Sequence, residues 1–249
     1  MTSCLLVKAD KRLVAVSDGR LSRDDNTQSF NSTRKLIKFP ISYQIPVFSR
    51  GRFDFFTEYR STPWYLAYAG THTVTTEIID LFRQQINGLY LTRSEKGWHA
   101  TLAHSTRTSG RFDDDYNFET NEYLKIHARD VLQELIEAFE IRGSEYAENR
   151  GTMPDSQFIL FGNEEASGDY KAFVVFADRS LWISGGGRIR IKADPVVNGQ
   201  LASIGSEAVR DAVYADQELM DGLNEWNKVD DLYVDIDRMR AEFLRRVVS

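Results

Sequence analysis

Two long helical stripes set between two blocks of short β-rich runs constrain this chain more than any other feature. Val74, Ile78, Leu81, Phe82 and Ile86 recur at helical spacing and predict an amphipathic helix over roughly 72–87. Leu124, His127, Val131, Leu132, Leu135, Ile136 and Phe139 form a longer stripe over about 121–142, on which His127 reads as a core histidine. Before the first stripe, residues 5–8 and 13–17 predict a hairpin, and 36–39 and 64–69 two further strands. A hairpin is expected within 88–102, and 157–161, 170–177, 181–184 and 189–192 make a second β block. Helical spacing returns after Ser206 through Leu219, Leu223 and Trp226, and a last helix is expected over about 235–248. Residues 40–62 hold two prolines and an aromatic, basic patch and yield no clear period.

Strands, two helices, strands and helices again are the order of an α+β protein. Its natural packing is a helix pair on each side of two antiparallel sheets. No linker rich in Gly, Ser or Pro divides the chain, and no repeat of fixed period is present, so one domain spanning 2–249 is expected.

Composition narrows the function. With 31 Lys+Arg against 37 Asp+Glu the net charge is −6, which argues against general nucleic-acid affinity and against attraction to anionic membranes. Residues 1–60 carry 11 basic and 6 acidic side chains, an excess that reads first as a solvated face. The single cysteine, Cys4, excludes an internal disulfide and a thiolate-cluster metal site. No run of 18 apolar residues suggests a membrane span. The start, Met1-Thr2-Ser3-Cys4-Leu5, has no basic n-region or long apolar segment, so a cytoplasmic location is expected.

That start also carries chemistry. Removal of Met1 would leave Thr2 with a hydroxyl and a free α-amine on one residue. An α-amine has a pKa near ~7.7–8.0, so its neutral fraction at pH 7 can take the hydroxyl proton directly or through water. Asp18 closes the second strand, where a hairpin returns it towards Thr2, and Lys35 stands at the entrance of another strand. Tyr68-Ala69-Gly70-Thr71 ends a strand just before a helix, where free backbone N–H groups can receive an anion.

This pattern resembles the proteasome β subunits and their bacterial relatives, the HslV-type peptidase and other bacterial proteasome homologues. The resemblance rests on Thr2, on Asp18 with Arg20, on Lys35 and on Ala69-Gly70. In the second half it rests on the runs beginning at Ala172 and Ser180, on Ala202-Ser203-Ile204-Gly205-Ser206, and on Val229-Asp230-Asp231-Leu232. It covers about 2–39, 64–87 and 157–234, and matches poorly at 40–62 and 88–156. About twenty residues are inserted between the third and fourth strands, and Lys35 sits about one residue later than in the family pattern.

The resemblance implies a four-layer αββα sandwich, the fold of N-terminal-nucleophile hydrolases, and a threonine endopeptidase working inside a homo-oligomeric double ring. Thr2 would attack a peptide carbonyl while its α-amine shuttles the proton. Lys35 would favour developing negative charge and Asp18 would pair with it. The Gly70 N–H would donate to the oxyanion, and Ser206 with Asp231 (or Asp230) would hold the terminal amine. Ser22, Tyr68 and His72 fall where the family lines its substrate cleft. Peptide or unfolded protein is the implied substrate, a separate ATPase or activator a possible partner, and no cofactor or metal is implied.

Other readings stand beside these. Asp18 and Lys35 also fit an ordinary surface ion pair, and His72, His99, His104 and His127 have no metal spacing. Gly185-Gly186-Gly187 reads as a hairpin turn, since no Gly-Lys-Ser/Thr follows it. Asp113-Asp114-Asp115 reads as a solvated loop with weak capacity for a divalent cation. Cys4, two residues after Thr2 on a strand, reads as packing. The alternatives to a peptidase are a noncatalytic ring scaffold that retains Met1 and a small-molecule amidase of the same fold.

Overall fold

Residues 64–69 and 157–163 are apolar at nearly every position, the composition of strands covered on both faces. The computed structural model describes residues 3–9, 12–17, 21–22, 28–30, 35–50, 52–93, 100–104, 126–181, 188–206, 211, 213–217 and 221. Within them the protein is α+β. Strands β1 (Ser3–Ala9) and β2 (Arg12–Ser17) form the expected antiparallel hairpin, and β3 (Leu21–Ser22) pairs with β4 (Gln28–Phe30). Next come β5 (Leu36–Phe39), β6 (Ser42–Ser49), β7 (Arg52–Arg60), β8 (Trp64–Ala69) and the helix α1 (His72–Asn87). Strands β9 (Leu89–Arg93) and β10 (Ala100–His104) make the second expected hairpin before α2 (Ala128–Arg150). The chain then runs through β11 (Gln157–Asn163), β12 (Tyr170–Ala177), β13 (Ile191–Pro195) and β14 (Leu201–Gly205).

Strands β13-β12-β11-β8-β5 lie side by side in a five-stranded antiparallel sheet, and β14-β1-β2 form a three-stranded one. Alternation along the central strands splits the interior in two. Leu66, Phe158, Leu160 and Val175 point to a core shared with Val74, Ile78, Phe82, Val131, Leu135 and Phe139 of the two helices. Ala67, Ile159, Phe161 and Ala172 point the other way, against Cys4, Leu6, Ala202 and Ile204 of the three-stranded sheet. The described layers are therefore helix, sheet, sheet. The predicted helices beyond Ser206 fall mostly outside the described residues, and with them the fourth layer.

Residues 40–62, which show no period in sequence, fold as the antiparallel hairpin β6–β7. The register shifts between Val47 and Phe48, which face Phe55 and Phe53, so Asp54 is an extra residue on β7. That insertion changes the phase of the side chains and hides the period of two. β6 also pairs with β9, in parallel, because the chain returns to it through α1; the sheet β10-β9-β6-β7 is therefore mixed rather than antiparallel throughout.

Three further expectations are corrected. His127 is not inside the helix core: it is the N-cap of α2, its side chain 48% exposed, and its N–H donates to Asp130 (3.2 Å). Leu181 belongs to a 3-10 turn at Arg179–Leu181, because the Asp178 carboxylate accepts from both the N–H and hydroxyl of Ser180. The strand expected at 189–192 lies later, at Ile191–Pro195, and residues 182–187 with the glycine run fall outside the described ones.

Glu164 ties α2 to the sheet. It accepts from Ala128 N–H at the helix start (2.8 Å) and from the Ser167 hydroxyl (2.8 Å), and pairs with Lys171 at 3.7 Å. Burial alone raises its pKa, but these hydrogen bonds and the charges of Lys171 and His127 outweigh burial and hold it below the ordinary 4.5. A depressed carboxyl stabilises the fold above about pH 4.5, and that contribution is lost as pH falls through the folded-state pKa. Glu164→Gln is therefore expected to cost about 1–2 kcal/mol at pH 7, with the difference from wild type shrinking towards pH 3 in urea unfolding.

Candidate functional site

The ends of six strands meet where β1 begins. Ser3 lies opposite Gly205 on β14, and Cys4 lies opposite Ile204 and, on the other side, Ser17 of β2. Cys4 is fully buried, and its thiol donates to the Tyr68 carbonyl on β8 (3.4 Å). Tyr68 N–H in turn donates to the Lys35 carbonyl (3.2 Å), which brings the residue before β5 to the same end of the layers. Burial, with Cys4 beside it, pushes the Tyr68 phenol above its usual range.

Lys35 is only 1% exposed. A lysine is seldom fully buried without a polar or charged partner, so its position at this strand junction is a structural commitment by the fold. Ser206, just past β14, is also buried, at 8% exposure. The sequence singles out both residues, and the structure puts them with Tyr68 and Gly70 around the start of β1. His72 opens α1 two residues beyond Gly70, exposed, its ring Nδ1 3.0 Å from the Thr76 hydroxyl. Ser22 lies in β3. Thr2, Asp18, Asp230 and Asp231 fall outside the described residues, as do Asp113, Asp114 and Asp115.

Gly70 joins β8 to α1 with φ +110°, a conformation that side-chain-bearing residues rarely adopt. A Cβ here would overlap the Asp155 carbonyl oxygen and approach Ser156 Cα at 2.8 Å. The segment pressing on it is anchored on both sides. Thr75 and Ser156 hydroxyls meet at 2.8 Å in the interior, and Arg179 pairs with Asp155 at 2.8 Å on the surface.

Gln157 is the residue that sequence reasoning missed. It lies opposite Ala69 at the start of β11, and its side-chain oxygen accepts from Gly205 N–H at 2.9 Å. It thereby links the strand that ends in Gly70 to the strand that ends in Ser206, across the two sheets. The available signal was a polar residue opening an otherwise apolar strand.

Chemically, the arrangement offers a buried ammonium-bearing residue, a buried hydroxyl and a glycine turn before a helix, all beside the N-terminal end of one strand. Groups of these kinds can favour developing negative charge. Among the described residues no group of three or more His, Cys, Asp or Glu could hold a metal ion. Among them, too, no helix is long and apolar enough to cross a membrane.

No protein-family model matches the sequence. No curated protein matches it either. Solved structures similar to it include the Anbu (Gly-1) mutant from Hyphomicrobium sp. strain MC1, at 11% identity and TM-score 0.47 over 87% of this chain and 66% of that one. Anbu (ancestral beta-subunit) from Yersinia bercovieri aligns at 12% identity and TM-score 0.47 over 88% and 67%. The helical assembly of the Anbu complex from Pseudomonas aeruginosa aligns at 15% identity and TM-score 0.44 over 86% and 66%. The chain thus spans about two thirds of the length of these proteins, and at this level of likeness they assign it no activity. They do correct the resemblance drawn from sequence: these neighbours are Anbu proteins, proteasome-like but a distinct family, to which the HslV-type peptidase is only loosely related. The described motif residues Lys35, Gly70 and Ser206 sit at strand ends, and strand-end motifs mark a layer arrangement without separating the families built on it.

Gly70→Ala is expected to cost at least about 2 kcal/mol in chemical denaturation, since backbone conformation and overlap with backbone both oppose it. Gly151→Ala supplies the contrast: φ is +67° there but nothing lies within 4 Å, so about 1 kcal/mol is expected.

Proposed function

We propose that this chain is a proteasome-like subunit on a single four-layer αββα domain spanning 2–249, and that its first role is as a building block of a homo-oligomer. The observation that carries the reading is the β6–β7 hairpin, whose outer strand exposes Phe53 (41%) and Phe55 (52%) on a nine-residue sheet edge. A long edge bearing exposed aromatic side chains is a surface that invites another chain. Helical assembly is a description of the Pseudomonas aeruginosa protein; for this chain the geometry of assembly is part of the proposal.

A second reading, threonine peptidase, is favoured by one specific observation: Lys35, Tyr68, Gly70 and Ser206 meet at the N-terminal end of β1. On this reading Met1 is removed, the Thr2 hydroxyl attacks a peptide carbonyl and its α-amine carries the proton, with Asp18 and Asp231 completing the site. Lys35 and the Gly70 N–H stabilise the oxyanion, an interaction worth about 2.7–4 kcal/mol of barrier in other enzymes. Peptide or unfolded protein would be the substrate, lined by Ser22, Tyr68 and His72, and a separate ATPase or activator would deliver folded chains.

Native mass, N-terminal mass and hydrolysis of short fluorogenic peptides separate the two. The scaffold reading expects a multimer with Met1 retained and no turnover. The peptidase reading expects Met1 absent and turnover that falls by roughly 10³-fold or more in Thr2→Ala and Lys35→Met while the multimer persists. A monomeric wild type overturns the first reading, and equal turnover in wild type and Thr2→Ala overturns the second.

A further inference from the structure

We propose that the outer edge of β7 pairs antiparallel with β7 of a second copy of this chain, about a two-fold axis at Thr57. The inference rests on the homo-oligomer reading and says which surface is used and in what register. β7 ends its sheet, and among the described residues no strand pairs with its outer edge. Phe53, Asp54, Phe55, Thr57, Glu58 and Arg60 are all exposed, so the strand is covered on neither face along most of its length. It contains neither proline nor lysine, two devices that commonly blunt such edges.

Its charges select the register. A two-fold axis at Thr57 sets Asp54 of each copy opposite Arg60 of the other, Phe55 opposite Tyr59, and Phe56 opposite Glu58. Opposite charges then close both ends of the ladder, and aromatic pairs lie inside them. An axis at Phe56 sets Asp54 on Glu58, two carboxylates that repel. An axis at Phe55 drives the ladder through the extra residue at Asp54, where the strand bends. Of these three, only the Thr57 axis keeps that irregularity at the ladder's end, and an axis at Glu58 shortens the ladder and sets Glu58 on its own copy.

The neighbouring contacts suit this pairing. Arg60 already meets Glu58 of its own strand at 3.1 Å with its side chain 80% exposed, and a guanidinium has donors to spare for a second carboxylate. Tyr59 packs on buried Tyr43 with ring centroids 5.0 Å apart, so Phe55 of a second copy would extend an aromatic row that starts in the core. On the opposite face Phe56 is fixed edge-on against Tyr90 at 5.0 Å and stays with its own sheet. The contact is isologous, and joins copies in pairs.

Sedimentation of the full chain tests it. Asp54→Arg and Arg60→Asp alone each place like charges at both ends of the ladder, and each is expected to raise the pair dissociation constant by ~10-fold or more. The combined D54R/R60D chain restores opposite charges and is expected to return within ~3-fold of wild type. Thr57→Cys, on the axis, is expected to give a covalent dimer under mild oxidation, with Cys4 buried and silent; circular dichroism shows each variant folded. A multimer unchanged by either single reversal, with no cross-link at position 57, overturns this contact and leaves the assembly reading standing. Loss in the single variants without recovery in the double also overturns it, and a monomeric wild type overturns both.

Discussion

Burial of β8 and β11 on both faces is the constraint on which the rest of the structure depends. Each strand must supply apolar groups alternately to the helices and to the three-stranded sheet, so Leu66 and Ala67, or Phe158 and Ile159, cannot both be served by one core. Large side chains face the helices and the mix of Ala67, Ala69, Ile159 and Phe161 faces the second sheet, which lets the two sheets approach closely. Once that central pair is set, the ends of β1, β5, β8, β11 and β14 are brought to one place.

The candidate site is a product of this layering. Lys35, Tyr68 and Gly70 belong to the five-stranded sheet or its flanks, while Cys4 and Ser206 belong to the three-stranded one. They meet only because the sheets are stacked. Two cross-layer bonds, Cys4 to Tyr68 and Gly205 to Gln157, hold that meeting point. The rigid turn at Gly70, wedged against Asp155, then opens α1 in a fixed direction. A site of this kind gains precision from backbone and core rather than from loops.

Legibility in sequence followed periodicity. The stripe over 72–87 matches α1 because Val74, Ile78, Phe82 and Ile86 are buried against one core, and the 5–17 hairpin matches because short apolar runs flank a polar turn. The hairpin at 40–62 was unreadable for a physical reason: the extra residue at Asp54 shifts the alternation, and most of β7 has no buried face to impose one. His127 kept the spacing of the α2 stripe yet lies at the helix cap, where spacing says nothing about burial. The HslV-type resemblance failed at the level of family for a related reason, since a few strand-end residues constrain local geometry but not the long segments between them.

What the sequence determined by itself is the helices and strands with a clear period, and their order, because such periods are local consequences of which side chains avoid water. It also singled out Lys35 and Gly70 by their places at strand ends, and Ser206 through the family resemblance. Tertiary structure alone decided that these residues share one end of the layers, that Gln157 bridges them, and that β7 is left as an open edge. Those outcomes depend on which sheet stacks on which and on what remains to cover each strand, quantities set by contacts between residues far apart in the chain.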